Sequence, residues 1–157
     1  AFERGISYLA DLNLSYDILI YPKHLFKAYQ LAEKFPKQKF VIDHVAKPMI
    51  KHKNYEDWKS HMQNFATVDN VSCKISGLVT EADWKSWKYK DFVPILDTVT
   101  EVFGKDRLMF GSDWPVCLLA GSYKNVLDII KTYTDHWSPE DKEKIFSKNA
   151  IQFYNLV

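Results

Sequence analysis

Arg107-Leu-Met-Phe-Gly-Ser-Asp-Trp-Pro115 reads as a short apolar strand that closes on two small residues, a carboxylate and a stiff aromatic exit. Parallel (β/α) barrels gather their reactive side chains at the C-terminal ends of their strands, so the pattern sets Asp113 where such a fold carries chemistry. Upstream of it, a helix over about Asp91–Phe103 stops at Gly104, a residue suited to the turn after a helix. Val71-Ser-Cys-Lys-Ile-Ser-Gly77 is the next strand back, and the connection from Leu78 to Tyr89 is long enough to line a site. Before that come a strand over Lys39–Val45 and a helix from about Tyr55 to Ala66, with Trp58, Met62 and Phe65 on its inner stripe. Ser15–Tyr21 is a further strand. After Pro22, helical spacing of Leu25, Ala28, Tyr29, Leu31 and Ala32 runs up to Phe35-Pro36. Phe2, Ile6, Leu9 and Leu12 form the stripe of an opening helix over about residues 2–13. Downstream of the quoted stretch, Tyr123–Tyr133 is helical, and Ser138-Pro-Glu-Asp141 opens a final helix with a serine cap and proline in the first turn.

Strands that alternate with helices imply a parallel sheet. The four βα units are half of the eight in a closed barrel, and 157 residues fall short of the ~200 to 250 that a whole barrel takes. The expected fold is therefore α/β: a partial (β/α)8 TIM barrel of four βα units plus a C-terminal helix, one domain over residues 1–157. Ala1-Phe-Glu-Arg4 reads as the interior of a longer chain, a processed N-terminus being the alternative.

The 21 basic and 20 acidic residues are mixed along the chain, with no basic run to track phosphates, which argues against nucleic acid as a partner. Cys73 and Cys117 lie far apart in apolar segments and read as free thiols of a reducing compartment, so a cytoplasmic protein is expected. No apolar run approaches the ~18 residues of a membrane helix.

Asp113 and His44 are the candidate catalytic pair. In Phe40-Val-Ile-Asp-His44 the strand parity that turns Phe40 and Ile42 inward also turns His44 inward and leaves Asp43 facing the helix layer. A carboxylate and an imidazole from two strand ends can share a water or a metal. Trp114 is a candidate to stack on a sugar-like ring, or else to plug the barrel mouth. His24 follows the strand end at Tyr21-Pro22 and is a second candidate for substrate contact; His52, His61 and His136 read as solvated. Trp84 and Trp87 form either a lid or packing over the helices. Lys74 lies mid-strand, where a charge facing the interior must be paired. Asp17 is its candidate partner; the alternative is that both point into a solvated gap.

Phe40-Val-Ile-Asp-His-Val-Ala-Lys-Pro48, Cys73-Lys-Ile-Ser-Gly77 and Leu108-Met-Phe-Gly-Ser-Asp-Trp-Pro-Val116 resemble motifs of the amidohydrolase-related TIM-barrel hydrolases, in the L-fuconolactonase-like branch. The resemblance runs from about Phe2 to Val157. It implies that the strands are the fifth to eighth of the barrel, that His44 ends the sixth, and that Asp113 ends the eighth and acts as general base. It also implies hydrolysis of a sugar-acid lactone, with His44 and first-strand residues polarising the carbonyl, and either one divalent metal such as zinc at His44 and Asp113 or no metal. The family's first-strand His-Xaa-His is absent from this chain. Completion by an N-terminal half-barrel, or self-association, is therefore expected. The rival readings are another amidohydrolase-type hydrolase or decarboxylase, and an inactive half-barrel that acts as a binding module.

Overall fold

Residues 1–156 are described by a computed structural model. The chain runs α1 (Phe2–Leu9), β1 (Tyr16–Ile18), α2 (Leu25–Lys34), β2 (Phe40–Ile42), α3 (Glu56–Gln63), β3 (Val71–Ile75), α4 (Val93–Phe103), β4 (Leu108–Phe110), α5 (Tyr123–Tyr133), α6 (Pro139–Glu143) and α7 (Asn149–Tyr154). The four strands form one parallel sheet in the order β1-β2-β3-β4. Strict sequential order is what right-handed βα crossovers give as they build one wall of a barrel. The strands are shorter than the sequence suggests: Ser15–Tyr21 contributes only Tyr16–Ile18 to the ladder, and α1 ends at Leu9.

Alternation along the strands separates two faces. Ile18, Phe40, Ile42, Val71, Cys73, Ile75 and Leu108 join the helices in the main core. Against them lie Leu25, Ala28 and Ala32 of α2, Trp58 and Met62 of α3, Ile95, Leu96 and Val99 of α4, and Ile129 and Ile130 of α5. Each of the larger aliphatic and phenylalanine side chains, where fully buried, contributes about 1.5–3 kcal/mol by removal from water. On the other face Val41 and Met109 pack with Phe153 of α7, so the terminal helix crosses the face that a closed barrel turns to its lumen. This corrects the expected parity. Phe40 and Ile42 face the helix layer, and it is Asp43 that shares the inner face with Lys74.

Lys74 Nζ lies 2.5 Å from Asp17 Oδ2 and 2.8 Å from Asp43 Oδ1, the latter at an angle outside hydrogen-bonding geometry, and above the Tyr154 ring. The Tyr154 hydroxyl donates to the Asp17 carboxylate at 2.9 Å. Partial burial alone would lower the Lys74 pKa; its hydrogen bond to Asp17 and the nearness of the Asp43 carboxylate and of Tyr154 outweigh that and hold the ammonium above its ordinary range. The pairing of Lys74 with Asp17 is as the sequence suggests. Asp43 and Tyr154 are additions to it.

The helix termini explain the exact turns. Ser122 Oγ accepts from Asn125 N at the start of α5, and Ser138 Oγ accepts from Asp141 N at the start of α6. Gly104 ends α4 at φ 61°, ψ −171°, a conformation reserved for glycine. Cys73 and Cys117 are both buried and free. No helix among the described residues is long and apolar enough to cross a membrane.

Candidate active site

Strand parity ends at Ile42. His44, Val45, Ala46 and Lys47 hold φ of 50°, 46°, 55° and 53°, a left-handed turn built without glycine. The left-handed form costs roughly 1–2 kcal/mol for each residue that carries a Cβ, so neighbouring contacts must hold the turn. Val45 and Ala46 are fully buried, the Trp58 indole donates to the Val45 carbonyl at 2.7 Å, and Lys47 N donates to the His44 carbonyl at 2.8 Å. The turn carries His44 over the sheet end. Asp113 has φ 56° as well. Strained backbone of this kind gathers at functional sites, where the rest of the fold fixes it.

The two candidates meet across the strand ends. His44 Nε2 lies 3.7 Å from Asp113 Oδ1, with the side chains 25% and 11% exposed. That gap is too long for a hydrogen bond and leaves both groups open to a third partner. On the far side of the ring, Nδ1 lies 2.8 Å from Ser76 Oγ. Gly77, at φ 65°, lets the β3 end pass beneath the imidazole: a Cβ there would stand 2.8 Å from His44 Cβ. Thr80 donates to the Gly77 carbonyl at 2.8 Å and reaches Asp113 Oδ2 at 3.4 Å, and the Trp84 indole donates to the Thr80 carbonyl at 2.9 Å.

Two further charges flank the pair. Lys47 Nζ lies 3.8 Å from Glu81 Oε1 and 5.5 Å from the Tyr21 ring centre. Burial pushes the Glu81 pKa up, Lys47 and then His44 oppose it, and Asp113 adds to the rise. Tyr21, Lys47, Trp58 and Glu81 line a cavity of about 620 Å³ on this same rim.

Of the remaining candidates, Trp114 stands 65% exposed beyond a cis Trp114–Pro115 bond, its N–H donating to Ser112 Oγ. His24 lines a different groove, with Phe2, Ile18 and Leu31, and no hydrogen bond or ion pair joins it to His44 or Asp113 among the described residues. Trp87 is packing: its indole donates to the Ala120 carbonyl at 2.7 Å and its ring lies against Phe92. Trp84 is exposed. Ser76, Thr80, Lys47 and Glu81 carry no role in the sequence reading, although Ser76 and Lys47 fall inside the motifs quoted above and Thr80 and Glu81 inside the long connection.

The amidohydrolase family profile matches residues 1–156. The chain belongs to the amidohydrolase family. It is 32% identical to an L-fucono-1,5-lactonase of Burkholderia multivorans over 99% of its own length and 56% of the relative's. An L-fucono-1,5-lactonase of Burkholderia ambifaria is 35% identical over 98% of this chain and 54% of the relative. The chain thus spans about half the length of the curated relatives it matches. A crystal structure of an amidohydrolase from Burkholderia multivorans with bound zinc superposes with a TM-score of 0.95 at 32% identity, covering 99% of this chain and 57% of that one. The four-stranded parallel α/β architecture thus superposes on a little over half of an amidohydrolase chain, and the partial barrel expected from the sequence fits it.

Imidazole nitrogen and carboxylate oxygen are donor types that zinc accepts, but a catalytic zinc takes about three protein ligands. Among the described residues no cluster of three or more His, Cys, Asp or Glu side chains is placed to hold a metal ion. His44 and Asp113 do not make a metal site by themselves.

Proposed function

We propose that this chain supplies the C-terminal half of the active site of a sugar-acid lactone hydrolase, acting on substrates of the L-fuconolactone or L-rhamnonolactone type. The observation that carries the reading is the facing pair at the strand ends, His44 Nε2 and Asp113 Oδ1, 3.7 Å apart. The relatives named as L-fucono-1,5-lactonases support ring-ester opening over the other reactions this fold hosts.

In this mechanism Asp113 accepts a proton from a water molecule as its oxygen attacks the lactone carbonyl carbon. His44 donates a hydrogen bond to the carbonyl oxygen, where negative charge develops. The tetrahedral intermediate collapses by breaking the ring C–O bond, and the proton held on Asp113 passes to the departing alkoxide, giving the open-chain acid. The exposed Trp114 ring offers the sugar an apolar face at the rim. Residues of other strands complete the site. Among the described residues β1 is an edge strand, and a groove of about 430 Å³ lies between α1, β1 and α2.

The test is hydrolysis of both lactones by the full gene product, followed by proton release, in wild type and Asp113→Asn. A positioned base supplies ~10² to 10⁴ in rate, so the variant should lose at least that order in kcat/KM while keeping its circular dichroism spectrum. Near-normal turnover would remove Asp113 from the role of base.

A further inference from the structure

Ser76 stands just past β3, 3% exposed, and among the described residues its hydroxyl has a single hydrogen-bond partner, Nδ1 of His44 at 2.8 Å. Glycines close on this pair from two sides. A Cβ on Gly77 would lie 3.0 Å from Nδ1, and one on Gly111 would lie 2.9 Å from Ser76 Cβ. The imidazole and the hydroxyl therefore have little room to turn away from each other.

Neutral imidazole has one N–H and one lone pair, so the shared proton can sit in two ways. With the proton on Nδ1, the ring donates to Ser76 Oγ, and the serine O–H is left buried without an acceptor, at a cost of about 1–3 kcal/mol. The Nε2 lone pair would then face the Asp113 carboxylate across 3.7 Å. With the proton on Nε2, Ser76 donates to Nδ1, both donors have acceptors, and an N–H faces the carboxylate. Satisfaction of the buried hydroxyl and the sign of the neighbouring charge both select the second arrangement.

We propose that Ser76 is a positioning residue that fixes neutral His44 with its proton on Nε2, so that the ring offers a hydrogen-bond donor to an oxygen lying between it and Asp113. The ligand class this suits is a carbonyl or oxyanion. The catalytic consequence rests on the lactonase reading, in which that oxygen is the lactone carbonyl. A metal cation at Nε2 would need the opposite tautomer, with the Ser76 hydroxyl turned to accept.

The test is nitrogen-15 magnetic resonance of the histidine rings in the full gene product, chelated free of metal, at a pH where His44 is neutral. The expected result is a protonated Nε2 and a pyridine-like Nδ1. Ser76→Ala should shift His44 toward a mixture of tautomers and lower kcat roughly 10- to 100-fold, the range found for partners that orient metal-bound histidines, with KM little changed. A wild-type spectrum with the proton on Nδ1 overturns the assignment without need of any variant, as does a folded Ser76→Ala protein with unaltered tautomer and kcat. The spectrum needs no substrate. A protein whose Nε2–H is lost to a mixture in Ser76→Ala and which hydrolyses no lactone upholds the Ser76 assignment and defeats the lactonase reading instead.

Discussion

At the N-terminal ends of the strands, side-chain amides and a guanidinium bind backbone carbonyls; at the C-terminal ends, the backbone itself is strained and the facing His44 and Asp113 stop short of each other. Below the sheet, Asn70 Nδ2 donates to the carbonyls of Ala32, Phe35 and Gln38, Asn149 Nδ2 to those of Lys105 and Leu108, and Arg107 to those of Val68, Val71 and Val102. Above it, His44 through Lys47 and Asp113 hold positive φ, and His44 and Asp113 stop short of a hydrogen bond. One end satisfies the chain and lends stability. In the proposed reading the other keeps a donor and an acceptor for a ligand, which is the division of labour known for (β/α) barrels.

Two glycines put that contrast to its strongest trial, because both have positive φ and only their surroundings differ. Gly77, at the upper end, would bring a Cβ to within 2.8 Å of His44; Gly104, at the lower end, has nothing within 4 Å of where a Cβ would go. Gly77→Ala should displace the imidazole, and since an error of about 1 Å in a reacting group can cost ~10²-fold, kcat should fall by about that factor in the full gene product. Gly104→Ala should instead lower stability by about 1–3 kcal/mol in urea denaturation and leave turnover per folded molecule unchanged. Equal losses of kcat in the two variants would end the distinction between the ends of the sheet.

This same boundary marks where the sequence stops being legible. The strands and helices follow from periodicity and punctuation, since Pro22, Pro36, Gly104 and the Ser138-Pro pair act locally on the backbone. Asp113 is legible because a glycine and a serine precede it at a strand end. His44 reaches its place for a reason that parity does not contain: after Ile42 the chain enters a left-handed turn that no glycine announces, held by Trp58 from a distant helix. Parity taken past Ile42 therefore put Asp43 on the wrong face, and it is the turn, not parity, that brings His44 opposite Asp113. Ser76 is visible in its motif, but its role needs the partner from another strand.

The inner face supplies an intermediate case, since its charges are mutually paired and yet lie between the two ends. Lys74→Met would leave Asp17 and Asp43 without their cation. A fully buried pair broken in this way costs about 3–5 kcal/mol, but these side chains remain partly exposed, so a loss of about 2 kcal/mol is expected. The pH dependence has a definite sign. The folded-state pKa of Lys74 is raised, so its contribution is complete below the unfolded value of about 10.4 and is lost as pH rises beyond it. The stability gap between wild type and Lys74→Met should thus stay level from neutral pH to about 10 and narrow above it. A melting temperature that does not move on substitution would mean that solvent already satisfies the two carboxylates.

The smallest expected effect falls on the same upper rim as His44, and it asks how far the reactive end extends. His24 follows β1 as His44 follows β2, so position relative to the sheet would give both a part in the chemistry. Their surroundings differ. His44 is gripped by Ser76 and faces Asp113, whereas His24 is exposed at the end of a single helical turn, Pro22–His24, and opens onto the groove beside α1 and α2. An exposed side chain with no fixed partner has nothing to hold it within the fraction of an ångström that catalysis demands. His24→Ala should accordingly change lactone kcat/KM by less than about twofold and stability by no more than about 0.5 kcal/mol. A tenfold loss of kcat/KM at unchanged stability would place the groove beside β1 within the substrate site, and the reactive end would then span the whole rim from β1 to β4.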